Sequence, residues 1–415
     1  MGGITAHPAL RRCIGVAVDS FATEFWSAAP LLSPAADLPG DFDDLLTLAD
    51  VDELVSRRGL RTPFLRIARN GEVVDPARFT GAGGAGASVG DQVRDDRVLA
   101  LFAEGSTLVL QGLHRLWPPL IDFAAALGTD LGHPVQINAY ITPPQSQGFS
   151  AHYDVHDVFV LQLAGTKRWI IHPPVLTAPL RDQPWTDRRA AVATAAAREP
   201  AIDAVLGPGD ALYLPRGWLH AATAQGEVSA HLTVGIHNLT RYTLVEALLA
   251  QVADDPALRA SLPLGTDPAR PGELAGEVQA TLARLVELLP TVDAAAAVDR
   301  VRRRLWSGVR PSPLAPLAQT AAAAALTQDC VIMLRPHLRH RTEETGTGVR
   351  VVLADRRIDF PLTTALAVRR ALAGPGVPVG ELPGLDAEDR LTLGRRLLQE
   401  GLVVPQQPAA ELPAR

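Results

Sequence analysis

The stretch HYD at residues 152–154 places a histidine and an aspartate two positions apart. In a β-strand, residues two apart project from the same face, so His152 and Asp154 would present an imidazole and a carboxylate to one point. Two histidines and one carboxylate on one face of a cation leave its opposite positions open, which is typical of non-haem Fe(II) oxygenases. A single HxD pair also arises by chance, so this chemistry needs a second histidine from elsewhere in the chain.

The stretch GPGDALYLPRGWLH, residues 207–220, offers that second histidine. Gly209 and Gly217 permit tight turns and Pro215 ends ladder pairing, so the pattern predicts a short strand and then a turn. The turn would deliver His220 at a fixed position, as a metal ligand requires. The alternative is a core histidine that lies behind a structural turn.

Lys167 is the only lysine among the 39 Lys and Arg residues of the chain. The run DVFVLQL and the turn AGT precede it, so we expect Lys167 to enter a new strand in which it shares one face with Trp169 and Ile171. On the inner face of a barrel its ammonium would need a partner, because an unpaired buried charge is costly. The alternatives are a solvated lysine and a salt bridge on the outer face.

The composition excludes several classes of protein. The chain has 415 residues, 47% of them hydrophobic, and a formal net charge of −6, which argues against nucleic-acid binding through charge alone. Its length predicts roughly two to four domains. Cys13 and Cys330 are too few for a disulfide framework and indicate free thiols in a reducing compartment. Without a cleavable signal pattern or a long apolar run, we expect a cytoplasmic protein and no membrane partner.

The first part of the chain divides into a predicted loop, a predicted helix and a β-rich region. Residues 80–92, rich in Gly and Ala, predict a mobile loop, and RLWPPLIDFAAALGTDLG predicts a helix that begins at a proline pair and ends at glycine. Short β-rich runs then fill residues 134–238, separated by Pro and Gly and interrupted by an alanine-rich helix near 188–198. This spacing predicts an antiparallel barrel or sandwich.

The pattern becomes helical after residue 240. RYTLVEALLAQVAD and GELAGEVQATLARLVELL are amphipathic at the helical period, and the Pro-rich residues 310–318 predict a linker. The chain ends with a helix-like and then a strand-like stretch, as many winged-helix modules do. From residue 331 onward 12 Arg stand against 10 acidic residues, so a structural or protein-contact role is favoured over DNA binding.

Two stretches resemble known families. PGDALYLPRGWLH resembles the second motif of the cupin superfamily, although Ala224 stands where many cupins have Asn. NAYITPPQSQGFSAHYDVHDVFVLQLAGTKRW is more specifically similar to the JmjC-type ribosomal oxygenases, which are 2-oxoglutarate-dependent hydroxylases of ribosomal proteins. The motifs between residues 138 and 234 carry the resemblance, whereas the flanking regions match mainly in layout.

The resemblance implies an α+β fold. Its centre would be a double-stranded β-helix barrel of the cupin/JmjC jelly-roll type with helical decoration. Residues 1–238 would form the catalytic domain, with the core barrel at about 100–238, followed by a helical dimerisation region (239–312) and a C-terminal winged helix (313–415). The implied activity is side-chain hydroxylation of a ribosomal protein or other polypeptide by a homodimer that uses Fe(II), 2-oxoglutarate and O2.

Carried over residue by residue, the resemblance assigns the site. The metal ligands, which are also the catalytic residues, fall at His152, Asp154 and His220. The residue that grips the distal carboxylate of 2-oxoglutarate falls at Lys167. Further cosubstrate contacts fall at Asn138 and Tyr140; Gly235 stands where some members have a serine, and Thr233, on the same strand face, could supply the hydroxyl instead.

Other interpretations remain open from the sequence. The same chemistry could act on a natural-product peptide, a small molecule or a methylated lysine. A second alternative is a zinc-binding cupin isomerase, which would not need Lys167. A third is a non-catalytic cupin sensor that binds DNA through its winged helix. His156 and Asp157 follow the ligands closely enough to orient them. For His231, His237, Trp169 and Trp218, core or packing roles are expected.

Overall fold

The computed structural model describes residues 7–69, 71–144, 146, 150–267 and 269–406. The chain forms two compact units, residues 1–238 and 239–415. Both combine helices and strands, so the predicted mixed helix-and-sheet architecture is confirmed. Among the described residues, no helix is both long and apolar enough to span a bilayer.

The first unit is built on two antiparallel sheets. Its strands are β1 (Leu31–Ser33), β2 (Leu65–Arg69), β3 (Glu72–Val73), β4 (Thr80–Gly81), β5 (Gln92–Val93), β6 (Thr107–Leu110), β7 (Val135–Thr142), β8 (Asp157–Ala164), β9 (Lys167–His172), β10 (Ile202–Leu206), β11 (Ala211–Leu214), β12 (Leu219–Ala224) and β13 (Ser229–Ile236). The larger sheet has the order β1-β11-β8-β13-β7-β6-β2-β3, and the smaller has the order β10-β9-β12. The β-rich region therefore folds as predicted.

Helices cover the first unit's larger sheet and connect its strands. They are α1 (Pro8–Arg11), α2 (Val18–Ser20), α3 (Leu48–Arg57), α4 (Asp95–Ala103), α5 (Leu113–Leu116), α6 (Pro118–Leu131) and α7 (Arg189–Ala196). Helix α6 begins at the predicted proline pair and ends where Gly132 adopts a left-handed conformation. Helix α7 is the predicted alanine-rich helix.

Strand alternation separates the main core from the interior of the barrel. On β7, Ile137, Ala139 and Ile141 belong to the main apolar core. The intervening residues Asn138 and Tyr140 face the other way, because successive side chains of a strand point to opposite sides. The helices thus bury one face of the larger sheet and leave its other face to form the wall of a cavity.

One predicted loop is more ordered than expected. The Gly- and Ala-rich residues 80–92 were expected to form a mobile loop, but β4 and β5 pair at its two ends, Thr80 with Val93 and Gly81 with Gln92. Ladder hydrogen bonds that close a loop fix its ends even when its composition is flexible.

The second unit contains six helices and six strands among its described residues. They are α8 (Arg241–Val252), α9 (Pro271–Leu288), α10 (Ala294–Gly308), α11 (Pro316–Ala324), β14 (Val331–Leu334), β15 (Arg341–Thr345), β16 (Gly348–Val352), β17 (Arg357–Pro361), α12 (Ala365–Ala371), β18 (Val377–Pro378), α13 (Ala387–Gln399) and β19 (Val403–Pro405). The two amphipathic stretches after residue 240 form α8 and α9. The end of the chain is a helix and then a strand, α13 and β19, and β19 pairs with β14.

Candidate active site

The HxD segment brings its two polar side chains together without forming a regular strand. His152 pairs with His220 in an isolated antiparallel bridge, and Asp154 lies in the following segment, outside any strand. The expectation that both lie in one strand was therefore wrong. The alternation nevertheless holds, because Tyr153 between them is 1% exposed and packs with Val192 and Leu219.

A glycine turn fixes His220 on strand β12. Gly217 has a φ of +91°, which favours glycine, and an added Cβ there would lie 2.5 Å from the carbonyl oxygen of Leu176. The Gly217 N–H donates to the carbonyl oxygen of Asp154 over 3.0 Å. The turn that delivers His220 is therefore hydrogen-bonded directly to the segment that carries the other two ligand candidates.

The three predicted metal ligands converge. One ligand atom from each of His152, Asp154 and His220 lies within 4.8 Å of the other two. His220 Nε2 lies 3.7 Å from Asp154 Oδ2. Both histidines direct Nδ1 to a backbone carbonyl oxygen, His152 to Ser150 over 2.8 Å and His220 to Trp218 over 3.1 Å. Such hydrogen bonds fix the ring orientation and leave Nε2 to bind a metal.

The electrostatics keep these groups in their metal-binding protonation states. Burial, together with the neighbouring His152, lowers the pKa of His220 to about 4, so its imidazole is neutral at physiological pH. Burial alone would raise the pKa of Asp154, but His156, His220 and His152 outweigh it and hold that pKa below its usual value. A neutral imidazole and an ionised carboxylate are the forms that bind metal ions.

The triad borders a cavity of about 80 Å³ between the two sheets. Since one water molecule needs only about 10–15 Å³ by this measure, the cavity has room for a small organic molecule. Its lining comes from both sheets and from the HxD segment: Thr107, Tyr140, His152, Asp154, Val158, Val160, Lys167, Trp169, Leu214, His220, Ala221, Ala222, His231 and Thr233.

Three of the four predicted cosubstrate contacts line this cavity, namely Lys167, Tyr140 and Thr233. Asn138 is not among the lining residues; its side-chain oxygen accepts a hydrogen bond from the Gly112 N–H over 3.0 Å. Burial, followed by the charge of Asp154, raises the pKa of Tyr140 to about 12, so its phenol stays protonated. The structure therefore places Asn138 in a backbone-bracing position.

Lys167 lies inside the barrel, not in solvent or on the outer face. It is 3% exposed, and its ammonium donates to the Thr142 hydroxyl over 2.9 Å. The Thr107 hydroxyl lies 3.3 Å from that of Thr142. Burial lowers the pKa of Lys167 to about 7, and no acidic group among the described residues offsets that effect. An incoming carboxylate would restore the charged form.

The space above Gly235 is occupied by His156. A Cβ at Gly235 would lie 2.6 Å from Nε2 of His156, whose ring stacks against His237 at 5.8 Å. His237 directly follows β13, which ends at Ile236. His156 thus takes the room that a serine would use at position 235, and Thr233 remains the hydroxyl in the cavity lining.

Asp157 ties the two ligand-bearing segments together. It is fully buried and accepts hydrogen bonds from the Tyr213 hydroxyl (2.6 Å), the Ser27 hydroxyl (2.9 Å) and the Arg216 backbone N–H (3.0 Å). The Arg216 guanidinium lies 3.6 Å away. Arg216 belongs to the turn before His220. The Asp157 carboxylate therefore stabilises the segments that carry the metal ligands, in line with the orienting role expected for it.

Sequence reasoning missed three polar residues of the cavity lining and a fourth, Thr142, that contacts Lys167. Thr142 alternates with Asn138 and Tyr140 in NAYIT, so strand periodicity could have found it. Thr107 lies on a different strand with no motif around it. His231 and Trp169 were expected to have core or packing roles, yet both line the cavity.

Comparison with known proteins identifies relatives of this chain. The JmjC domain family matches residues 124–244. The chain is 32% identical over 287 residues to the bifunctional lysine-specific demethylase and histidyl-hydroxylase NO66 of Drosophila erecta, covering 64% of this chain and 39% of that protein. It is 25% identical to ribosomal oxygenase 1 of Gallus gallus, over 95% of this chain and 71% of that protein. The chain thus spans about two fifths of the length of the Drosophila erecta relative.

Solved structures share the fold. The crystal structure of the Escherichia coli ribosomal oxygenase YcfD superposes with a TM-score of 0.52 at 17% identity, covering 94% of this chain and 98% of that one. A structure of the same enzyme in complex with cobalt and 2-oxoglutarate gives a TM-score of 0.50 at 16% identity, over 95% and 99% of the two chains. The JmjC match over residues 124–244, the sequence relatives and the His-Asp-His cluster together make this chain similar to the JmjC-type ribosomal oxygenases.

Proposed function

We propose that this protein is an Fe(II)- and 2-oxoglutarate-dependent oxygenase that hydroxylates a side chain of a ribosomal protein. The donor set of His152, Asp154 and His220 fits Fe(II), because two imidazoles and one carboxylate on one side of the ion leave open positions for cosubstrate and O2. When bound there, iron supplies the oxidative decarboxylation of 2-oxoglutarate to succinate and CO2 that is coupled to hydroxylation.

The chain's own residues orient the cosubstrate and keep water away. Lys167 would hold the distal carboxylate, since its ammonium faces the cavity and is bound only to a hydroxyl. Val158, Val160 and Leu214 supply an apolar lining, which strengthens this ionic contact by excluding water. Tyr140, as a protonated phenol, adds a further hydrogen-bond donor to the same space.

The observation that carries the proposal is the burial of Lys167 in the cavity that the triad borders. A zinc cupin isomerase has no use for an ammonium at that place. A non-catalytic sensor has no use for a complete His-Asp-His cluster. A dicarboxylate that chelates the metal at one end and meets Lys167 at the other accounts for both features.

The proposed substrate is suggested by the relatives, one named a ribosomal oxygenase and the other a lysine-specific demethylase and histidyl-hydroxylase. We predict that ribosomal proteins isolated with the active protein carry one added oxygen atom on a single side chain, and that those from cells without it do not. Mass spectrometry of the two ribosome preparations measures this. Release of succinate by the purified protein, with Fe(II) and 2-oxoglutarate, tests the chemistry separately. Succinate release without any modified ribosomal protein would retain the oxygenase and reject this substrate.

We also propose the domain roles implied by the resemblance: a catalytic domain at 1–238, a dimerisation region at 239–312 and a winged helix at 313–415. The dimer is supported by helix α9, where Val278, Leu282 and Val286 are 58%, 53% and 63% exposed. They are spaced at i, i+4 and i+8, so they form one apolar stripe. A helix that buries none of its described residues within one copy is suited to pairing with a second copy.

We expect the protein to sediment as a homodimer at micromolar concentration, with an interface above about 1,000 Å². Leu282→Glu should shift it to monomers without unfolding it, because a charge in the paired stripe would be desolvated. Leu366→Glu, at an exposed leucine of α12, is the matched control and should leave the dimer intact. A monomeric parent protein would show that the stripe of α9 has another purpose.

A further inference from the structure

His231 is a buried polar residue without a hydrogen-bond partner for one of its ring nitrogens. It is 3% exposed, it lines the cavity, and its Nδ1 has no partner among the described residues. Buried polar atoms in folded proteins are nearly always hydrogen-bonded, so each exception calls for an explanation. A ligand that brings a partner into the cavity is one such explanation.

The His231 ring is held firmly by its neighbours. It stacks on Tyr140 with ring centroids 5.2 Å apart and planes 4° from parallel, and it meets Trp169 edge-on at 5.4 Å and 80°. His231 and Tyr140 are also directly paired across β13 and β7. Two aromatic contacts at right angles restrict rotation of the imidazole, so it cannot readily turn toward a different protein partner.

The surroundings of His231 favour an anionic ligand. Burial lowers its pKa well below the usual value, and the nearby Lys167 lowers it further, so the imidazole is neutral and offers one N–H. Lys167 can only donate. Trp169, two residues later on the same strand face, also only donates, and its Nε1 likewise has no partner among the described residues. Donors around one cavity call for a group that accepts several hydrogen bonds, and a carboxylate accepts about four.

We propose that His231 is a second contact for the distal carboxylate of the cosubstrate, donating an N–H beside the ammonium of Lys167. This inference rests on the proposed function and deepens it. Tyr140 and Trp169 brace the imidazole, Thr142 holds the ammonium, and the carboxylate bridges the two donors. This part of the cavity is then specific for a carboxylate that lies at a fixed distance from the metal ligands. The distance is fixed because both donors lie on strands and not on loops.

The experiment measures binding, not turnover, with Co(II)-loaded protein and isothermal titration calorimetry. His231→Phe keeps the ring volume and the stacking on Tyr140 but removes the N–H, and should weaken 2-oxoglutarate binding by about 10- to 100-fold. Pyruvate has the same chelating end but no distal carboxylate, so its affinity should be unchanged. His231→Asn regains an N–H donor and should recover part of the lost affinity. If the Phe variant does not fold, the Asn variant is compared with the parent instead.

His172→Phe is the matched control. His172 is 4% exposed on the same strand as Lys167, its Nδ1 also has no partner among the described residues, and it does not line the cavity. This variant should bind 2-oxoglutarate like the parent. Equal binding by the His231→Phe and His172→Phe proteins would overturn the proposal, as would an equal loss for pyruvate and 2-oxoglutarate. A parent protein that binds no 2-oxoglutarate would instead refute the proposed function.

Discussion

Replacing Asp154 with alanine is expected to abolish iron-dependent turnover of 2-oxoglutarate while the protein stays folded. The carboxylate is one of three groups whose ligand atoms lie within 4.8 Å of one another, and it contributes nothing to the apolar clusters of the first unit. Changing a residue that merely orients a ligand typically costs about 10- to 100-fold in metal affinity, so loss of a ligand itself should cost more. Succinate release and a metal titration measure the two effects.

Asp203→Ala provides the comparison for Asp154→Ala. Asp203 pairs with Arg168 over 2.6 Å at the exposed surface of the smaller sheet, away from the cavity lining. Its loss removes one carboxylate from the same barrel and should leave turnover near the parent value, since exposed ion pairs contribute little to stability. Near-normal succinate release by the Asp154→Ala protein would remove this residue from the metal site.

Replacing Lys167 with methionine should weaken 2-oxoglutarate binding by roughly 10²- to 10³-fold without changing metal affinity. Methionine keeps the length and apolar bulk but leaves the distal carboxylate buried and unpaired. Breaking one partner of a buried ion pair costs about 3–5 kcal/mol, which corresponds to that loss. Lys167→Arg should lose less, because a guanidinium also holds a carboxylate, though with different reach. Titrations of 2-oxoglutarate into the three metal-loaded proteins decide between these outcomes.

The same titrations at several pH values add an independent check. Burial lowers the pKa of Lys167 to about 7 in the free protein, so above that pH the amine is largely neutral. Binding a carboxylate favours the ammonium and therefore requires proton uptake. Affinity should fall as the pH rises above about 7 in the parent, and it should stay nearly flat in Lys167→Arg, whose guanidinium remains charged. A Met variant that binds as tightly as the parent would show that the single lysine has another role.

Much of the fold and the core of the site could be predicted from local sequence. Alternation placed His152 and Asp154 on one side of the chain even though no regular strand forms there. The proline pair and Gly132 marked the ends of α6. The turn before Lys167 predicted that this residue enters a new strand and shares one face with Trp169 and Ile171, although it left open whether that face is buried. These signals depend only on residue type and spacing.

The remainder of the site was decided by tertiary structure. Thr107 and Thr142 come from β6 and β7, and Lys167 comes from β9, yet their polar atoms form one chain of hydrogen bonds. His156 fills the space above Gly235 because β13 pairs with β8 in the register that sets Gly235 opposite Val158. The period of two determines which face a side chain takes. Which strands become neighbours, and in which register, depends on how distant segments pair and pack, so no local pattern could have revealed these contacts.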